Sequence, residues 1–145
     1  MENRVNTAFL YDYLKEKGIT QKELAEKMSH SKMAVSYWFR CDNFTLKKCM
    51  EIVSTLGCRL VIDCSYDIGS SHISTVISLQ ETVSGRAFDI IMRGFGLSRP
   101  EIKNIGVSTQ LLNVWFARDN VSIGNINDIA KANGRIIKSS LENIH

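Results

Sequence analysis

Apolar residues in the first third of the chain fall in short clusters at helical spacing, each bounded by residues that start or stop a helix. Phe9, Leu10, Tyr13 and Leu14 recur at intervals of three and four, the period of a helix with one face turned inward. Asn6 or Thr7 is placed to cap it and Gly18 to end it, since glycine tolerates the left-handed conformation at a helix C-terminus. Thr20, with Glu23 three residues on, predicts a capping box opening a second helix, Gln21 to Met28, with Leu24, Ala25 and Met28 inward. Ser29-His30-Ser31 reads as a turn. A third helix, starting near Lys32 with Val35 and Trp38 inward, is over by Cys41. After a turn at Asp42-Asn43, Thr45 caps a fourth helix with Leu46, Met50, Ile52, Val53 and Leu56 as core candidates, closed by Gly57. The period then drops from 3.6 to 2. CRLVIDC, residues 58–64, predicts a strand with Leu60 and Ile62 on one face and Arg59, Val61 and Asp63 on the other. DIGSSH beyond it is a loop by composition, and the alternating, β-branched ISTVISL is a further strand able to pair with residues 58–64.

The second half runs through the same succession. Ser84 is placed to cap a helix containing Phe88, Ile90, Ile91 and Phe95, ended by Gly94 or Gly96. Ser98 and Glu101 repeat the capping-box spacing, with Pro100 in the first turn, where a missing N–H costs nothing. Gly106-Val107 is a turn, and a helix over residues 109–117 carries Leu112 and Trp115 inward. The closing GRIIKSSLENI mirrors GCRLVIDCSY and predicts an equivalent strand or short extension. The halves align at an offset of 77 residues: Trp38-Phe39 on Trp115-Phe116, Asp42-Asn43 on Asp119-Asn120, Thr45-Leu46 on Ser122-Ile123, Ile52 on Ile129, Gly57 on Gly134 and Leu60 on Ile137. Such self-similarity decides an architecture. The expectation is a domain at 1–65, a linker containing a strand at 66–83, and a second, divergent domain at 84–145. Between Ser98 and Gly106 the second half is one residue shorter than between Thr20 and Ser29. One deleted residue turns a helix face by about 100°, so a changed packing register is expected there.

Composition narrows the classes. With 145 residues, 44% hydrophobic and 23% charged, the chain has the balance of a globular protein. Its longest apolar runs fall far short of the roughly 20 residues of a spanning helix, so a cytoplasmic location is expected. The net charge of +3 is compatible with a nucleic-acid partner but would not suggest one alone. All four cysteines, Cys41, Cys49, Cys58 and Cys64, lie in the first half without a Cys-x-x-Cys pair, which argues for reduced thiols and against zinc. His30 lies in a turn, His72 in a loop and His145 at the end. No nucleophile–base spacing, carboxylate pair or phosphate-cradling glycine loop stands out, so neither an enzyme nor a cofactor or metal is expected.

The segment ITQKELAEKM, the Trp38 position and the tail DNFTLKKCMEIVSTLG resemble the Cro/C1-type (XRE) helix–turn–helix family of phage and bacterial repressors, over residues from Phe9 to Leu60. Thr-Gln opening the second helix and Leu-Ala within it carry the likeness; Ser29 departs from it, standing where the family usually has glycine. The resemblance implies a mainly α fold: two tandem Cro/C1-like units of about four helices each, with short β-strands after each unit and in the linker. It also implies roles. Gln21 would bind a backbone phosphate. Ser31, Lys32, Met33, Ser36 and Tyr37 would face the major groove from a recognition helix at 32–40, Lys32 suited to guanine and Met33 to a thymine methyl. Arg40, Asn43, Thr45, Lys47 and Lys48 would hold phosphates; the alternative is that the lysines are a solvated face.

In the second half, Thr109, Gln110 and Asn113 would point outward from the helix at 109–117, with Arg99 and Arg118 as phosphate candidates. Leu111 and Val114 stand where the first half has Ala34 and Tyr37, an apolar substitution on a face meant for DNA. Two functions therefore stand side by side. One is a sequence-specific double-stranded DNA-binding regulator, acting as a homodimer or as a pseudo-dimer within one chain. The other is a non-catalytic protein-interaction module, such as an antitoxin or mobile-element accessory protein. Exposed Leu111 and Val114 would favour a protein partner; exposed Thr109, Gln110 and Asn113 would favour DNA.

Overall fold

The computed structural model describes residues 5–80 and 86–144. Among them are eight α-helices, one 3₁₀ turn and a three-stranded antiparallel sheet, a mixed and mostly helical fold. The expected cap at Ser84 lies outside the described residues.

Helix α1 (Ala8–Lys17) buries Leu10 and Leu14 and ends at Gly18, whose φ of 68° is the left-handed value glycine tolerates. Its start differs from expectation: no side-chain cap comes from Thr7. The Asp42 carboxylate serves instead from across the fold, accepting the amides of Val5 (2.9 Å), Asn6 (3.0 Å) and Thr7 (2.9 Å) and the Thr7 hydroxyl (2.8 Å). Helix α2 (Gln21–Met28) opens with the capping box, Glu23 N–H donating to Thr20 Oγ1 at 3.0 Å and Thr20 N–H to Glu23 Oε1 at 3.2 Å. Ser29 accepts the left-handed turn conformation at φ 58°. Helix α3 (Lys32–Arg40) is capped by Ser31 and helix α4 (Leu46–Thr55) by Thr45. On α3 the inward pair is Val35 and Phe39, both fully buried, while Trp38 is only half-buried. Residues three and four apart share one helix face; here the core encloses Phe39, and Trp38 packs at its edge.

Strand β1 (Cys58–Ile68) runs past its expected end and turns directly into β2 (Ser71–Leu79), with Ile68 opposite Ser71. The expected loop is thus a two-residue hairpin, Gly69-Ser70. Gly69 supplies the φ of 59° that a primed hairpin turn needs at its first central position. Helix α5 (Ala87–Gly94) follows, burying Phe88, Ile91 and Met92 and leaving Ile90 outward. The stretch from Ser98 to Gly106, one residue shorter than Thr20 to Ser29, comes next. Instead of a second eight-residue helix there is a single turn, α6 (Arg99–Ile102), tightened into a 3₁₀ segment, Lys103–Ile105. A 3₁₀ turn rises about 2.0 Å per residue against 1.5 Å, so seven residues cover the same roughly 12 Å that eight cover in α2. Its 120° per residue also returns about 60° of the 100° lost. Helix α7 (Thr109–Arg118), capped by Ser108, buries Leu112 and Trp115; helix α8 (Ile123–Ala132), capped by Ser122, buries Ile126 and Ile129.

The last strand, β3 (Ile136–Asn143), returns to pair with β1, giving the order β2-β1-β3. Leu60 lies opposite both Leu79 and Leu141, so the sheet face that carries it has an apolar row across all three strands. The helices cover that face, and buried residues from both halves form one continuous core. A joint outside the sheet reinforces it. Leu46 N–H donates to Val121 O (2.7 Å), Ile123 N–H donates to Phe44 O (2.9 Å), and Thr45 and Ser122 form an isolated antiparallel bridge between them. Each bond has its counterpart 77 residues away. Asp119 likewise accepts the amides of Ala87 and Phe88 at the start of α5, and it shares with Asp42 a positive φ, 53° against 54°.

Candidate nucleic-acid interface

Burial of Val35 and Phe39 pins α3 to the core and leaves its other side to solvent. That side carries Ser31, Lys32, Met33, Tyr37 and Arg40, with Met33 83% exposed. Ser31 spends its oxygen on the Ala34 amide at 3.1 Å, as the helix cap. Ser36, half-buried, donates its hydroxyl to Gln21 Oε1 at 2.9 Å. The bond ties the N-terminus of α2 to α3 and leaves the Gln21 NH₂ as the donor end. The Arg40 guanidinium lies 5.7 Å from the centre of the Tyr37 ring. A hydrogen bond with the Cys41 thiol raises the Tyr37 phenol above its ordinary value, so at neutral pH it keeps its O–H donor. Gln21, Ser31, Lys32, Met33, Ser36, Tyr37 and Arg40 are thus brought onto one surface.

The other candidates of the first half are divided. Asn43 Oδ1 accepts the Gly124 amide N–H at 3.0 Å, across the joint. Thr45 is the cap of α4 and sits in the bridge to Ser122. Lys47 is exposed, with its amide bonded to Asp119 O at 2.9 Å. Lys48 is half-buried, 2.8 Å from Glu51 and 5.2 Å from the Trp38 ring centre. Spacing could not reveal the part Asn43 plays, because its partner is 81 residues away.

In the second half the outward side of α7 carries Thr109, Gln110, Leu111, Asn113, Val114 and Arg118, all exposed. Polar and apolar members are exposed together, so exposure does not choose between DNA and protein. Two of the polar groups already have partners. Lys103 Nζ donates to Thr109 Oγ1 at 2.7 Å, and Arg99 Nη1 donates to Asn113 Oδ1 at 2.8 Å. The Arg99 guanidinium also stacks 4.5 Å from the Phe116 ring centre. Arg99 and Asn113 stand where the first half has Gln21 and Ser36, so the tie between the two helices recurs with donor and acceptor exchanged.

Beside this tie lies an open groove of about 620 Å³, walled by Arg86, Arg93 and Arg99 over Met92, Ile102 and Phe116. Of these arginines only Arg99 is marked by the sequence pattern; Arg86 and Arg93 stand on α5 and its cap, with no motif around them. Among the described residues no group of three or more His, Cys, Asp or Glu could hold a metal ion, and no helix is long and apolar enough to cross a membrane. Burial pushes the Cys49 thiol up to about 12, so it remains a thiol at neutral pH. Residues 10–62 match the family model described as Helix-turn-helix, of the XRE type, a DNA-binding family. No curated protein and no solved structure gives a match.

Proposed function

We propose that this chain is a sequence-specific double-stranded DNA-binding regulator that inserts α3 into the major groove. The observation that carries the reading is the solvent side of α3, with Lys32, Met33 and Tyr37 projecting and Gln21 held beside them by Ser36. A helix held on its core by Val35 and Phe39 can enter the groove without disturbing the fold. Lys32 then donates to guanine O6 or N7, Met33 meets a thymine methyl, and Gln21, Arg40 and Lys47 take phosphates. Asn43 and Thr45 are assigned to holding the two halves together. Regulation follows from occupancy of the site, by occlusion or recruitment in the cytoplasm, and involves no catalytic step.

The chain is further read as a tandem repeat acting as its own pseudo-dimer. Reciprocal bonding between residues 44–46 and 121–123 supports this, because an interface in which each bond has a mirror bond marks a two-fold relation. A two-fold relation between helix–turn–helix units suits duplex DNA, whose successive major grooves lie about 34 Å apart. The apolar side chains of Leu111 and Val114, which offer DNA no donor or acceptor, support a second reading, a protein partner at α7.

Selection from a randomised duplex pool at about 150 mM salt tests the proposal, since non-specific phosphate binding is weak there. The full chain should enrich a defined motif. Lys32→Ala/Tyr37→Ala should weaken affinity for it by about ten- to a hundred-fold, the amount by which one well-made base pairing discriminates. An unenriched pool would sink the regulator and redirect the search to a protein captured by α7.

A further inference from the structure

We infer that the arginine groove between α5, α6 and α7 is a phosphate-backbone site for duplex DNA, so that the second half grips the duplex without reading it. The inference rests on the DNA-binding reading and deepens it. Three guanidinium groups, Arg86, Arg93 and Arg99, share one groove with a single carboxylate, Asp89, which pairs with Arg93 at 3.1 Å. At the 78-residue offset that sets Gly18 on Gly96 and Thr20 on Ser98, the first half has Ala8, Lys15 and Gln21 in their places. Cationic charge is therefore concentrated on this side of the second half. Arg99 is also pre-positioned: its plane lies on Phe116 and one N–H is held by Asn113. A guanidinium so fixed keeps further N–H donors in the fork that suits two phosphate oxygens, and loses less side-chain entropy on binding.

The same bonds argue against base reading. Asn113 and Thr109, two of the three polar candidates on α7, already serve Arg99 and Lys103. Leu111 and Val114 between them offer no donor or acceptor. Because Asn113 lies on the exposed side of α7, the groove opens at the edge of the surface that a duplex would meet. The footprint is accordingly asymmetric: sequence is specified under α3, and phosphates alone are held under the second half.

The test measures affinity of the full chain for its selected duplex from about 50 to 300 mM salt, a range over which each phosphate neutralised contributes about 0.9 to the slope of log K against log salt. Arg93→Ala/Arg99→Gln should lower that slope by about 2 and leave the selected motif unchanged, with the same melting temperature as the parent. Arg99→Gln restores the residue type of the first half and keeps a partner for Asn113, so it serves as the milder variant, expected to lower the slope by about 1. A motif retained with an unaltered slope in both variants would overturn the groove while leaving the regulator standing. A new base preference in the second half of the motif, abolished by Gln110→Ala, would overturn it too, by making α7 a reader. If the parent chain enriches nothing, groove and regulator fall together.

Discussion

Asp42 and Asp119 each sit in a left-handed turn after a helix and reach back to the start of another, over a separation no local pattern reveals. Aspartate tolerates that backbone because its short side chain leaves little to clash. For Asp42, burial pushes the carboxyl up, but the hydrogen bonds from the Asn6, Val5 and Thr7 amides and the Thr7 hydroxyl outweigh it and hold it below the usual 3.8. A carboxylate depressed in the fold contributes stability that is complete above its unfolded value and disappears as pH falls through the folded one. Asp42→Asn keeps a residue suited to the turn but turns an acceptor into a donor against the amides. It should cost roughly 2 kcal/mol at neutral pH, in the range for hydrogen bonds to a charged group. Urea unfolding followed from about pH 7 down to about pH 2, into the span between about pH 5 and 1 over which such a carboxylate titrates, checks this. The variant should lose less stability on acidification than the parent, and parallel curves would mean that Asp42 is not the group responsible.

Among the elements, α5 shows how close packing and propensity can oppose each other. Gly94 is its last residue, and a Cβ there would run into the Ile77 side chain of β2. Ile77 is 4% exposed and has little room to move. Alanine favours a helix over glycine by about 1 kcal/mol, whereas overpacking a filled core costs about 1–3 kcal/mol. Gly94→Ala should therefore destabilise the chain by about 1 kcal/mol, read as a lower denaturation midpoint; a raised midpoint would mean that the sheet yields easily at this point. Most of the helices were legible from spacing and caps: Thr20, Thr45 and Ser98 stand where helices begin, and Ser122, aligned on Thr45, opens another. Which of Trp38 and Phe39 is buried was not legible, nor was the shortening of α6, because adjacent residues and small changes of pitch alter the pattern too little. The shorter spacing against residues 20–29 led to an expected change of register; the backbone has a 3₁₀ turn there.

At the scale of the molecule, β1 is the central strand and takes β2 on one edge and β3 on the other. The first half alone would lose β3, the joint at residues 121–123, and the core contributed by Ile123, Ile126 and Ile129. Each such side chain is worth about 2–5 kcal/mol, against a total near 5–15 kcal/mol for a domain. A fragment of residues 1–80 should therefore not unfold cooperatively by circular dichroism, whereas the full chain should. A fragment melting like the whole would make the halves independent domains.

Spacing and caps, acting within a few residues, were enough to define the succession of helices and strands; the family resemblance and the internal alignment added the helix–turn–helix of the first half and the residues expected outward on α3. They also marked Arg99 and Asn113 as candidates. Folding in three dimensions settled the rest: Asn43 belongs to the joint, Asp42 and Asp119 cap distant helices, and Arg86 and Arg93 meet Arg99 in one groove. Those pairings span from 6 to 81 residues, and nothing in the local period of a chain records which distant side chains its folding will bring together.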